Sequence, residues 1–139
     1  MRIGYNEDEQ FPGQFELWRA NCFRSLAGRA GQRALRDLEA ELLAMPVKRL
    51  IADAVARDGE VCAVGALLRH RGVPTRDLEA FGDDDSEGTD ELAVRRGAVP
   101  RLVAWLLVEL NDVDLDNATP EERYETVLAW VREQTKVAA

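Results

Sequence analysis

The sequence predicts a mainly α-helical protein: a compact multi-helix bundle around a central apolar helix at about 99–110, with room for one short β-hairpin at about 50–63. Three observations carry this. Phe15, Trp18, Cys22 and Leu26 recur at spacings of 3, 4 and 4, which places them on one helical face. Leu102, Val103, Trp105, Leu106, Leu107, Val108 and Leu110 make a segment that is apolar nearly all round, as a helix in the middle of a bundle must be. Thr119-Pro120-Glu121-Glu122 is a helix start, with an N-cap hydroxyl, a proline at the first helical position and carboxylates at the positive helix end.

Taken in order, residues 1–12 form a polar N-terminal segment, and Pro12-Gly13 opens a single helical domain over 13–139. The first helix spans Gln14 to Ala27, and Cys22 sits in its stripe as a small hydrophobe. Gly28 and Gly31 bracket a break. A second helix runs from about Gln32 to Met45. Leu35, Leu38, Leu42 and Met45 lie inside, and Arg33, Arg36, Asp37, Glu39 and Glu41 mostly outside. The next stretch reads two ways. Val47, Leu50, Ile51, Ala54 and Val55 fit helical spacing after Pro46, while Asp58-Gly59 reads as a tight turn between strands Leu50 to Ala56 and Glu60 to Ala63. A helix follows from about Cys62, with small residues Ala63, Gly65 and Ala66 that let a neighbouring backbone approach, and Gly72 ends it. Arg76 to Phe81 is a short turn capped by Thr75, Gly82 to Glu91 a charged surface loop, and Glu91 to Arg96 a helical piece ended by Gly97. The last helix turns Tyr124, Val127, Leu128 and Val131 to the core and leaves Trp130 at the margin, half exposed.

Composition narrows the functions. A chain of 139 residues with 46% hydrophobic and 32% charged residues has the makings of one folded, soluble domain. The 26 acidic against 18 basic residues give a net charge of -8, which repels phosphate backbones, so no direct nucleic-acid contact is expected. The start lacks the apolar core of a signal peptide, and the run from Val99 to Leu110 is far shorter than the roughly 20 residues that span a bilayer. A cytoplasmic protein without membrane contact is expected. Two cysteines and one histidine cannot close a tetrahedral metal site, and no phosphate-binding glycine loop is present, so no cofactor is expected.

The polar stretch between the last two helices is the nearest thing to chemistry. Asp112, Asp114 and Asp116 alternate as the first ligands of a calcium loop do, and they are the metal candidates. The pattern then fails: Asn117 stands where a glycine should turn the loop, and Arg123 where a bidentate glutamate should close it. The alternative is a polar hinge ahead of a strong N-cap. Asp83, Asp85, Glu87 and Gly88 match a calcium loop less well. Cys62 lies near a helix N-terminus, which favours a thiolate. A nucleophile needs a base, however, and His70 is eight residues on, about 12 Å along a helix. Cys62 therefore reads as structural. Arg69, His70 and Arg71, with Arg95 and Arg96, read as a solvated face.

The segments "GEVCAVGALLRHRG", an apolar helix ending in "ELND", and "TPEERYETVLAWV" together resemble small phage and prophage proteins of unknown function, with actinobacterial relatives. The similarity covers about Arg49 to Val131, and "FELWRANCFRSLAG" near the start is also similar. It implies Cys62, Gly65, Asn111 and Asp112 as signature positions without assigned roles, and it favours the hairpin over the helix at 50–63. The Asp114 and Asp116 extension is not part of the pattern. The resemblance implies a non-catalytic accessory protein that binds a host or phage protein, such as an anti-defence inhibitor of the anti-CRISPR kind. The partner-binding candidates are then Trp130 and the acidic loop residues Asp83, Asp84, Asp85 and Glu87. A calcium-regulated helical module, or a virion or packaging component, is the alternative.

Overall fold

The computed structural model describes residues 14–82 and 88–135. The N-terminal segment 1–12, the loop residues Asp83, Asp84, Asp85 and Glu87, and the side chain of Phe15 lie outside the described residues. Helix α1 (Gln14–Ala27) and α2 (Arg29–Ala44) are followed by an irregular stretch and a two-stranded antiparallel hairpin, β1 (Ala56–Arg57) and β2 (Glu60–Val61). Then come α3 (Ala63–His70), α4 (Thr75–Gly82), α5 (Thr89–Gly97), α6 (Arg101–Val108), a π-helical segment (Glu109–Asp114) and α7 (Pro120–Gln134). A mainly helical bundle with one short hairpin is thus the architecture.

Several boundaries move, each for a physical reason. Helix α2 starts three residues earlier than its apolar pattern suggests, because Gly31 belongs to it. A side chain there would meet the Ser25 and Leu26 carbonyls at 2.4 and 2.6 Å, so the glycine lets α2 turn back tightly against the end of α1. The strands are only two residues each, and 47–55 is neither strand nor helix. The turn itself is as expected: Asp58 and Gly59 both take positive φ, 54° and 82°, as a two-residue hairpin turn requires. Thr75 to Gly82 is a full helix rather than a turn.

The core lies where α2, α3, α6 and α7 meet. Leu35, Leu38 and Leu42 of α2 are fully buried, as are Leu67 and Leu68 of α3, Leu107 of α6, and Val127 and Val131 of α7. Helix α6 is buried from Val103 to Val108, and α3 is buried from Ala63 to Leu68, so the central position is shared by two helices. Helix α1 packs on α6 through Trp18, whose ring meets that of Trp105 edge-on at 4.1 Å. The central helix does not stop at Leu110. It widens into the π-helical segment, which carries Asn111 and Asp112. Helix α7 begins with a complete capping box: Thr119 Oγ1 accepts from Glu122 N at 3.1 Å, and the Glu122 carboxylate accepts from Thr119 N at 2.9 Å.

Candidate functional site

The irregular stretch 50–55 forms few backbone pairs of its own, and its polar groups must be satisfied from outside. Cys62, Asn111 and Asp112 do much of this, with Gly65 packed beside them. Cys62 N donates to Val55 O at 3.0 Å, closing the chain above the hairpin. Gly65 lies against the same carbonyl: a β-carbon there would stand 2.4 Å from Val55 O. The Asn111 side chain, buried within the fold, accepts from Ala63 N at 3.1 Å and donates to Ile51 O at 2.9 Å. Asp112 Oδ1 accepts from Asp53 N at 3.2 Å and from Asn111 Nδ2 at 2.7 Å. Asp53 itself has φ of 64°, an unfavourable conformation that this contact helps to hold. Cys62, Gly65, Asn111 and Asp112 therefore converge on one short piece of backbone.

Arg123 completes the knot, and the sequence reading missed its role. It is 3% exposed, and its guanidinium donates to four carbonyls: Asn111 at 3.0 Å, Leu50 at 3.2 Å, Leu115 at 2.7 Å and Ala118 at 3.2 Å. One signal for it exists in the sequence. Arg123 lies four residues before Val127 and eight before Val131, on the face of α7 that turns inward.

The chemical potential of this site is low. Cys62 is the N-cap of α3, and its sulfur accepts from Gly65 N at 3.4 Å. Burial pushes its thiol up to about 12; the Gly65 N–H works against that shift, and the Asp112 carboxylate adds to it. A thiol so protonated is a poor nucleophile at neutral pH. Burial likewise pushes Cys22 up to about 11, against the charge of Arg19. His70 stands at the other end of α3.

Asp112, Asp114 and Asp116 do not assemble into a cation site. Asp112 is committed to Asp53 N and Asn111, Asp114 and Asp116 are exposed, and the described residues hold no group of three or more metal-ligating side chains. The Arg123 charge, not a carboxylate, closes the inside of this hinge.

The basic end of α3 is not a solvated face. Arg69 Nε meets Glu41 at 2.8 Å, and Arg71 Nε meets Asp37 at 3.0 Å. His70 lies 3.5 Å from Glu41 and 3.8 Å from Asp37. Asp37 and Glu41 thus tie α2 to α3, and Glu39 holds Arg132 of α7 at 3.0 Å. Arg49 bridges Glu60 of the hairpin and Glu121 of α7, at 3.1 and 2.8 Å. Arg96 lies 3.7 Å from Asp77. Trp130 is partly buried against the core.

A cleft of about 300 Å³ lies between the end of α2 and the hairpin, lined by Met45, Pro46, Val47, Arg49, Gly59 and Arg69 among others. Val47 in its wall is 58% exposed, and Leu43, near the end of α2, is 49% exposed. No protein-family model, curated protein or solved structure matches the chain.

Proposed function

We propose that the chain is a small acidic accessory protein of the phage kind, which acts without catalysis by binding a host protein, and that its effect is to inhibit a host defence. One observation carries the binding reading: Val47, which lines a 300 Å³ cleft, and Leu43, near the end of α2, hold apolar side chains in water. Folding gains nothing from leaving them there, and a partner that covered them would gain their burial. The resemblance to phage proteins supplies the class of partner. Catalysis is disfavoured by the two thiols, which burial keeps protonated, and by the ion pairs that occupy Asp37, Glu39, Glu41, Glu60 and Glu121. Trp130 is a secondary contact for the partner.

The test is affinity capture of the tagged chain from a bacterial host lysate, in parallel with Leu43→Glu/Val47→Glu. The expected result is a host protein retained by the parent chain and lost from the variant. Identical retention by both would move the docking face elsewhere, and no specific protein on either would remove the reading.

A further inference from the structure

A second surface is marked by charge. Arg29, Arg33 and Arg36 lie at i, i+4 and i+7 on one exposed face of α2. None of the three has an ion pair among the described residues, whereas Arg49, Arg69, Arg71, Arg101 and Arg132 each hold a carboxylate. The placement of Arg29 also runs against the helix field. The N-terminal end of a helix is positive, yet the first turn of α2 has no acidic residue, and Gly28 offers no capping side chain. Arg29 alone lies in that first turn; in a chain with 26 acidic side chains, three arginines on one face of α2 without a carboxylate partner among the described residues bring the fold no electrostatic gain. Beside them is a cleft of about 300 Å³ lined by Ala30, Arg33, Asp37, Arg71, Gly97 and Ala98. Across its wall Arg71 and Asp37 neutralise each other at 3.0 Å, which leaves Arg33 as its uncompensated charge.

We propose that this face docks an acidic segment of a partner protein. The segment sets carboxylates on Arg29, Arg33 and Arg36, and a small side chain enters the cleft beside Ala30, Gly97 and Ala98. Guanidinium groups bind carboxylates through paired, charge-assisted hydrogen bonds. The stripe runs over seven residue steps of helix, about 10 Å. A segment with two or three carboxylates ends where the stripe ends. A nucleic acid carries its charge far beyond it, over a surface whose net charge is -8.

The experiment is fluorescence anisotropy with the full chain and two labelled probes. One is a peptide with glutamates at i, i+4 and i+7 on an alanine background; the other is an oligothymidylate. Saturable binding of the peptide is expected, weakening as salt rises. Arg33→Ala/Arg36→Ala should weaken it at least tenfold, and Arg33→Glu/Arg36→Glu should abolish it. Arg57→Glu, which alters an exposed arginine of the hairpin, should leave it unchanged. Helical circular dichroism and a melting midpoint no lower than the parent's are expected for the Arg33/Arg36 variants, so lost binding is not lost folding. Were the charge-reversed pair to unfold, the alanine pair would decide. Peptide binding that survives in the Arg33/Arg36 variants, or falls equally in Arg57→Glu, overturns the proposal, as does binding of the oligothymidylate alone. The lysate capture and this titration concern different faces, so either can fail while the other stands.

Discussion

Arg123 Nε donates to the backbone carbonyl of Asn111 at 3.0 Å, while the Asn111 side chain reaches the opposite way to Ala63 N and Ile51 O. Through these two residues α7, the π-helical segment, the irregular 50–55 stretch and the start of α3 share one hydrogen-bond network. Neither the stretch at Leu50 nor the hinge at Leu115 to Ala118 has enough regular structure to satisfy its own carbonyls, and Arg123 supplies donors to both. A planar guanidinium with five donors can do this; an ammonium cannot span the same four oxygens.

Arg123→Ala should therefore cost about 2–3 kcal/mol or more, because buried carbonyls lose their donors. Arg123→Lys should recover only part of it. Urea denaturation followed by circular dichroism measures both. A loss under about 1 kcal/mol for the alanine variant would mean that water replaces the guanidinium at these carbonyls.

Gly65 and Gly59 separate two uses of glycine. A methyl at Gly65 would stand 2.4 Å from Val55 O and 3.0 Å from Val61 Cβ, both part of the core wall. Gly65→Ala should destabilise by about 2 kcal/mol or more, because backbone must move. At Gly59 nothing lies within 4 Å, and the penalty comes from its φ of 82° alone. Gly59→Ala should cost about 1 kcal/mol. The order of the two melting midpoints checks the pair.

The sequence made the bundle legible because helical stripes and caps are local. Trp18, Cys22 and Leu26, the α6 apolar run and the Thr119 cap all fall where periodicity puts them. The 47–55 stretch was not legible. Its spacing at Val47, Leu50, Ile51 and Val55 is helical, but its conformation is decided by partners 10 to 70 residues away: Val61 for Ile51 N, Pro120 for Leu50 N, Asn111 for Ile51 O. The same holds for charge. Arg69 and Arg71 look solvated until α2 brings Glu41 and Asp37 beside them. Within a calcium pattern Arg123 shows only its sign; its buried position belongs to a different pattern, the inward face of α7.

The buried thiols give a signed pH dependence. Cys62 ionises near 9 when unfolded and only near 12 when folded; for Cys22 the folded value is about 11. Between these limits the unfolded chain binds fewer protons, so unfolding is favoured as pH rises. The stability tied to the thiols is complete below pH 9 and is lost progressively on approaching 11 to 12. Cys22→Ala/Cys62→Ala should flatten the alkaline limb of a plot of unfolding free energy against pH, relative to the parent. In the folded parent, both thiols should resist iodoacetamide at pH 8 and react fully in urea. Rapid labelling of Cys62 without denaturant would contradict its burial.

The hinge after α6 makes the opposite kind of prediction, an absence of response. A calcium loop works because several carboxylates share one cation that the unfolded chain cannot gather. Here Asp112 has turned inward to Asp53 N and Asn111, while Asp114 and Asp116 face water. Bringing the three together would require Asp112 to release two hydrogen bonds next to a buried guanidinium. The melting midpoint should therefore stay fixed in millimolar Ca²⁺, and Asp114→Asn/Asp116→Asn should change stability by no more than about 0.5 kcal/mol. Asp112→Asn should cost about 1 kcal/mol or more without any calcium present, since a charged acceptor is exchanged for a neutral one at the strained Asp53. A midpoint that climbs with Ca²⁺ in the parent and not in the Asp114/Asp116 variant would show that the hinge rearranges to bind the ion after all.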